Sequence, residues 1–432
     1  MTKKRVVIVG GGFAGLAAAK ELRRTSDVAV TVIDKRNHHL FQPLLYQVAM
    51  AGLSPAEIAA PIRSMLSKQA NASVIQGEVE AVDCQNRQVT LAERNGRPPQ
   101  TIDYDYLLLA CGAEHSYFGH SEWEEHAPGL KTLEQATEIR RRVLSAFERA
   151  ELETDPKRQK QLLTFVVVGG GPTGVELAGA IGEMSRYTLA RDFRRIESTL
   201  ARVVLIEGGP RILPMFDPEL SRRATRDLEQ LGVQVWTSSI VTDVTADGVN
   251  VGEERLAAAT VVWAAGVEAS PIGRSLSAPL DRVGRVVVQP DLSVEGFPNV
   301  FVAGDLAHFS ASEEDAPLPG VAPVAMQQGR HVAANIQRDI AGEKRTDFQY
   351  VDKGKMATIG RSKAITQVGS RKITGFTAWI VWLVVHIYYL TGFRNRLFVV
   401  ISWAWSYLTY RRGARLILEK EWRSNRNGGG GV

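Results

Sequence analysis

Apolar residues in this chain fall into short β-type runs separated by helical stretches, and the pattern comes twice in the same order. Arg5–Val9 and Val28–Ile33 bracket the first helical stretch; Thr164–Val168 and Arg202–Ile206 bracket the second. Alternation over Ala72–Leu91 and a run at Thr101–Ala110 predict the strands that complete the first set, the last one entering a turn of small residues at Cys111-Gly112. Val233–Thr245 and Arg255–Ala265 complete the second, and Leu292–Val302 returns to an apolar strand. Leu133–Glu151 has the period of a charged amphipathic helix. Ser54-Pro55 opens another helix, Glu153–Gln161 reads as a solvated link, and Arg186–Arg195 as a polar helical extension of the second unit.

Alternating strands and helices predict an α/β chain of two Rossmann-like units, the second inserted into the first. The expected segments are 1–160, the first part of one dinucleotide-binding domain; 161–285, the inserted one; 286–370, the return; and 371–432, a tail.

Each set turns from strand to helix through glycines: Gly10-x-Gly12-x-x-Gly15 in the first, Gly169-x-Gly171-x-x-Gly174 in the second. In such a loop the first glycine makes the tight turn, the second lets backbone approach a pyrophosphate, and the third lets the helix pack closely. The phosphates then sit at a helix N-terminus. One such loop is often only a tight turn. Two of them, each followed by a strand ending on an acid, Asp34 and Glu207, predict two bound dinucleotides. An acid at that place accepts hydrogen bonds from a free ribose hydroxyl pair and repels a 2′-phosphate, which favours NADH over NADPH; nearby Arg211 softens the preference. Glu176, placed by this reading in the first turn of the helix from Pro172, suits the helix dipole and lies near whatever the loop binds. It is either a helix stabiliser or a catalytic group.

Composition frames the picture without deciding it. With 432 residues, 44% hydrophobic and 23% charged, the chain has room for two or three domains and a large core. Its two cysteines, Cys84 and Cys111, argue against a disulfide framework, and Met1–Arg5 running straight into a strand argues against a cleavable leader. His38 and His39 lack metal-ligand partners at a convincing spacing, so no metal is expected.

Charge is uneven. Residues 371–432 hold ten Lys/Arg against two Glu, +8, which leaves −3 for the rest of a +5 chain, so the basic character belongs to the tail and nucleic acid is not an expected partner. Five of the eight tryptophans, Trp379, Trp382, Trp403, Trp405 and Trp422, are there too. Phe376–Leu390 and Leu397–Tyr410 are apolar nearly all round, yet at about 1.5 Å per residue each is shorter than a bilayer core requires. Aromatic residues beside arginines suit a surface lying among lipid headgroups. A pair of core helices or a dimer interface is the alternative.

The ordered set Gly10–Gly15, Asp34, LLLACGAEHSYFG, Gly169–Gly174, Glu207, TVVWAAGV and NVFVAGDLA resembles the two-dinucleotide-binding flavoproteins over residues 5–340. Within that family, HHLFQPLLYQVA, GGGPTGVELAG, LPGVAPVAMQQGR and the aromatic-basic tail resemble the type II NADH:quinone dehydrogenases. The resemblance implies FAD on the first loop and NADH on the second. For FAD it implies Gly10, Gly12, Phe13, Ala14, Gly15, Asp34, Lys35, Gln42, Pro43, Val79, Ala110, Cys111, Gly112, Gly304 and Asp305, the last toward the ribityl chain. For NADH it implies Gly169, Gly171, Thr173, Gly174, Glu207, Ala265 and Gly266, with Glu176 beside nicotinamide and flavin.

A membrane quinone, ubiquinone or menaquinone, would meet Ala325, Gln327 and Gln328. Many relatives carry two glutamines four residues apart there; Pro323 occupies the first position, which puts a two-glutamine grip in doubt. The implied enzyme is peripheral on the cytoplasmic face of the inner membrane, touches lipid headgroups through residues 371–426, pumps no protons, and leaves a homodimer open. The competing readings are a soluble-type reductase of ferredoxin or rubredoxin, which would lack the tail, and a membrane-tethered redox-sensing flavoprotein. A disulfide reductase or sulfide:quinone reductase would want paired cysteines that the spacing of Cys84 and Cys111 does not offer.

Overall fold

The structure, a computed structural model, describes residues 3–93, 96, 98–310, 316–409 and 413–418. Arg411, Arg412, Lys420, Trp422, Arg423, Arg426 and the final Asn427–Val432, all part of the expected tail, lie outside the described residues. By contact density the chain divides into two compact units.

The first unit comprises residues 1–40, 59–116 and 266–353. Its sheet runs in the order Ser293–Val294, Phe297–Val302, Tyr106–Leu109, Lys4–Val9, Val28–Asp34, Ala72–Gln76, parallel except for the first pair. Successive residues of a strand point to opposite faces. Val6 and Ile8 therefore join one buried cluster with the helix Phe13–Glu21, and Val7 and Val9 join the other with Leu107 and Leu109. Helix Ala322–Ile340 packs on Phe13–Glu21 so closely that a Cβ at Gly329 would run into the Ala14 carbonyl. The chain leaves Lys4–Val9 toward one neighbour and comes back on its other side, and in such sheets ligands bind where the order reverses.

The second unit comprises 41–58, 117–265 and 354–432. Four parallel strands run in the order Val233–Trp236, Arg202–Ile206, Thr164–Val168, Thr260–Trp263, reversing at Thr164–Val168. Helix Leu133–Leu152 lays Phe147 against Phe165, ring centroids 5.2 Å apart. An antiparallel sheet, Lys355–Gly360, Lys363–Val368 and Arg371–Thr374, packs on helix Pro172–Glu183; Gly179 lies where a Cβ would hit the Ile359 carbonyl. Lys372 pins the same sheet to Asp217 at 2.9 Å. Two helices follow, Gly375–Tyr389 and Phe393–Thr409, and among the described residues no helix is long and apolar enough to cross a membrane.

Several expectations change. The run at 101–110 is two strands, Gln100–Asp103 and Tyr106–Leu109, because buried Tyr104 turns the chain from a small sheet into the large one. Val241–Thr245 likewise leaves the parallel sheet for an antiparallel one. The link at 153–161 contains a helix, Pro156–Leu162, capped by the Asp155 carboxylate accepting from Lys157 N–H. Arg186–Arg195 is no helical extension: helix Pro172–Glu183 widens into a π turn at Met184–Thr188 and ends there. The helix after Ser54 is one short turn, Pro55–Ile58. The compact units also divide elsewhere than 160, 285 and 370: residues 41–58 and 117–160 group with the second unit, and Arg371–Thr374 is an edge strand continuous with 355–368.

Candidate functional site

At the first glycine loop Gly10 takes φ +108°, and a Cβ there would run into the Ala110 carbonyl. Gly15 lets the helix reach the Gly10 carbonyl, whereas Gly12 faces open space where a phosphate can approach. Asp34 holds the loop from below. Its Oδ2 accepts from Gly11 N–H at 2.6 Å and its Oδ1 from Arg36 N–H at 2.7 Å, which leaves lone pairs for a ribose hydroxyl. The same Gly11 peptide is fixed at its other end, since buried His39 donates from Nδ1 to the Gly11 carbonyl at 3.1 Å and meets the Phe13 ring edge-on at 5.1 Å. Burial pulls His39 down to about 4, so the ring is neutral and carries its hydrogen on Nδ1.

The second loop repeats this construction. Gly169 takes φ +110° against the Ala264 backbone, Gly174 packs on the Gly169 carbonyl, and Gly171 faces open space. Glu207 Oε2 accepts from Gly170 N–H at 2.6 Å and Oε1 from Gly209 N–H at 2.7 Å. Here the Gly170 carbonyl accepts from backbone, Leu213 N–H at 2.7 Å. Thr173 lies in the first turn above the loop. Each loop thus has the turn, the open approach and the acid that a dinucleotide needs.

The remaining residues sort by place. In the first unit, Gly112 at φ +72° follows Ala110, Lys35 reaches Glu114 at 3.2 Å, and Val79 begins a small-sheet strand. The Cys111 thiol, pushed up to about 12 by burial, points at the Val9 carbonyl and is a packing group. Gly304 N–H donates to Gln328 Oε1 at 2.7 Å, which fixes the turn presenting Asp305. Gln42 and Pro43 belong to the second unit, where Gln42 donates to the Lys131 carbonyl. Ala265 ends the second unit's strand region, and Gly266, at φ +72°, starts the next segment of the first. Among the described residues no His, Cys, Asp or Glu cluster could hold a metal.

Glu176 lies one residue beyond the first turn of Pro172–Glu183, so the helix dipole does not account for it. It faces a cleft of the second unit lined also by Tyr46, Gln47, Thr358, Trp382 and Trp403. Thr358 N–H approaches its Oε1 at 3.5 Å, and burial pushes the carboxyl up to about 8. At neutral pH this side chain carries a proton. The cleft wall is tied to the last helix by Trp403 Nε1–H donating to Gln47 Oε1 at 2.6 Å and Ser402 Oγ–H donating to Glu57 Oε1 at 2.8 Å. Nothing in the sequence pairs residues 46–47 with 379–407; only the fold does.

Gln327, expected to meet a quinone, is held within the first unit. Its amide is engaged at both ends with Val351, Nε2–H donating to the carbonyl and Oε1 accepting from N–H, each at 3.0 Å. Gln328 is buried on Gly304, and Ala325 packs beneath the same turn. Gln328 and Ala325 brace the Asp305 turn, and Gln327 ties the helix to Val351.

A model of the pyridine nucleotide-disulphide oxidoreductase family matches residues 4–329. The chain is 46% identical to the type II NADH:quinone oxidoreductase Ndh of Mycobacterium tuberculosis, with 97% of this chain and 91% of the relative covered. It is 44% identical to NdhA of the same organism, over 96% and 89%. Its fold matches a solved structure of NDH2 from Plasmodium falciparum in complex with NADH, TM-score 0.87, 20% identity, covering 96% of this chain and all of that one.

Proposed function

The chain belongs to the pyridine nucleotide-disulphide oxidoreductase family and, within it, to the type II NADH:quinone oxidoreductases; on that premise we propose that it works at a membrane surface, oxidising NADH through FAD and reducing a quinone without moving charge across the bilayer. The observation that carries this is the pair of acid-clamped loops, Asp34 on Gly11 and Glu207 on Gly170. They support FAD on the first and NADH on the second. Bound FAD supplies the capacity to accept a hydride from a nicotinamide and pass on two electrons.

The chain's own groups do the rest. Gly10, Gly12 and Gly15 cradle one pyrophosphate, Asp34 takes the adenosine ribose, and Asp305 is held toward the ribityl chain. Gly169, Gly171 and Gly174 cradle the NADH pyrophosphate. Glu207 selects its free 2′-hydroxyl, because a 2′-phosphate would meet charge repulsion there. Quinone reduction consumes two protons with its two electrons, and Glu176, protonated at neutral pH, holds one at the wall of an aromatic cleft. The aromatic lining of the cleft supports a place there for a quinone ring.

The membrane reading rests on the last two helices. Ala378, Trp382 and His386 are buried, while Phe376, Ile380, Val384 and Tyr388, each four residues apart, stay exposed. On the next helix Leu397, Phe398, Ile401, Trp405 and Leu408 are exposed as well. An exposed apolar surface of this extent calls for a cover. A lipid surface supplies it, with exposed Arg394, beside Phe398 on the same helix, to meet headgroup phosphates; a second copy of the chain is the other cover. NADH is a cytoplasmic substrate, so the enzyme sits on the cytoplasmic face. Among the described residues no helix is long and apolar enough to cross a membrane.

Anaerobic mixing tests the reading. NADH should bleach the flavin of the purified protein, and a short-chain quinone should restore its colour; a flavin that NADH reduces but quinone leaves reduced would reject it.

A further inference from the structure

Trp382 occupies the buried stripe of helix Gly375–Tyr389 and is 2% exposed. Its ring is fully packed: His386 stacks on it at 4.1 Å, Trp403 tilts against it at 5.6 Å and Tyr46 meets it at 6.5 Å. Its indole N–H is different. The nitrogen is buried with no hydrogen-bond partner among the described residues. Native proteins seldom leave a buried donor unpaired, and where they do the missing partner is a water, an ion or a ligand. Trp403, on the neighbouring helix and lining the same cleft, has its N–H satisfied by Gln47, so the deficit belongs to Trp382 alone of the two.

The surroundings restrict what can complete it. An indole N–H only donates, so the partner presents an acceptor. His386 is neutral, pulled down to about 4 by burial, and its Nδ1–H is used on the Trp382 carbonyl; the ring brings no charge that would demand an anion. The cleft wall on this side is aromatic and apolar, Tyr46, Trp379, Leu383 and Trp403, with Arg361, Glu183 and Ser406 elsewhere in the lining. A planar, uncharged ring bearing carbonyl oxygens matches this set of demands.

We propose that the Trp382 indole N–H is the hydrogen-bond donor to one carbonyl oxygen of the quinone ring in the cleft that also holds Glu176. Trp382 is then a positioning residue: it holds the ring with the protonated Glu176 in the same cleft. The inference rests on the quinone reading above, and the two fail separately.

The test replaces Trp382 by 3-benzothienylalanine, which keeps ring shape and packing but has sulfur for N–H, alongside Trp382→Phe. With FAD content matching the unaltered enzyme, the KM for a short-chain ubiquinone should rise about three- to tenfold, the worth of one neutral hydrogen bond. The infrared C=O band of a carbonyl-13C-labelled quinone should lie lower when bound to the unaltered enzyme than to the variant. An unchanged KM with an unshifted band, as a water on Trp382 would give, overturns the assignment of Trp382 and leaves quinone reduction standing. Absence of quinone reduction by the unaltered enzyme overturns the parent reading instead.

Discussion

Glu207 accepts a 2.6 Å hydrogen bond from Gly170 N–H, and so fixes the second glycine loop from the strand beside it. A second bond, from Gly209 N–H at 2.7 Å, uses its other oxygen, so the loop is set before any nucleotide arrives. Glu207→Gln keeps the shape but puts an NH₂ where an acceptor is needed. Bonds to a charged acceptor contribute about 1.5–3 kcal/mol. The KM for NADH should rise about ten- to a hundredfold, with NADPH affected less because repulsion of its 2′-phosphate is relieved. Steady-state kinetics with both nucleotides would check this, and an unchanged NADH/NADPH ratio would refute it.

His39 does for Gly11 what the Leu213 backbone does for Gly170. His39→Leu leaves the Gly11 carbonyl without its donor in a buried place, at a cost of about 1–3 kcal/mol. FAD should dissociate about tenfold more readily, as read by flavin fluorescence on dilution. The depressed pKa has a sign as well. The unfolded chain takes up a proton near pH 6.5 that folded His39 refuses until about 4, so the His39 contribution to stability is present above 6.5 and is lost as pH falls through that window. Thermal melts of the unaltered protein and the Leu variant should converge on acidification; parallel curves would remove His39 from the account.

Glu176 titrates the other way. Held up to about 8, its carboxyl stays protonated at pH 7 and ionises as pH rises through 8. Quinone-dependent turnover should therefore fall above about pH 8. Glu176→Gln should lower turnover about a hundredfold, the low end for a positioned proton donor, and erase that alkaline limb. The same raised value makes the folded state lose stability as pH rises from 4.5 to 8, where the unfolded carboxyl is ionised and the folded one is not, and the loss is complete above 8. A pH profile identical in both proteins would leave Glu176 a packing residue.

Val384 is 64% exposed and Leu408 79%. Changing both to Glu touches nothing in the core, so melting temperature should hold. Burying a side chain of this size contributes about 1.5–3 kcal/mol, and binding to vesicles containing anionic lipid should weaken about tenfold or more for each. Unchanged vesicle binding with a dimer turned into a monomer would assign the face to a second copy of the chain.

The twin loops were legible because their chemistry is local: Gly10 and Gly169 must adopt positive φ, Gly15 and Gly174 must touch backbone, and the acids fall at the ends of the next strands. Glu176 was placed in the first turn but lies one residue past it, since the start of a helix at Pro172 fixes position only by counting. The sheet at 355–374 went unread. Its strands gain their meaning from packing on helix Pro172–Glu183, almost two hundred residues earlier in sequence, and no periodicity records that contact. The pairing of Gln327 with Val351 went unread for the same reason, because Val351 lies in an irregular segment with no sequence signature. Trp382 was visible only as one of five tail tryptophans; that its buried N–H lacks a partner among the described residues belongs to the three-dimensional arrangement.

The most direct test of the central claim is NADH oxidation by the purified full chain in liposomes with ubiquinone or menaquinone analogues, followed together with quinol formation. One quinol per NADH, much slower rates with NADPH, and no pH gradient across the vesicle wall are the predicted result. NADH oxidation that ignores quinone and instead reduces a ferredoxin, a rubredoxin or a disulfide would contradict it.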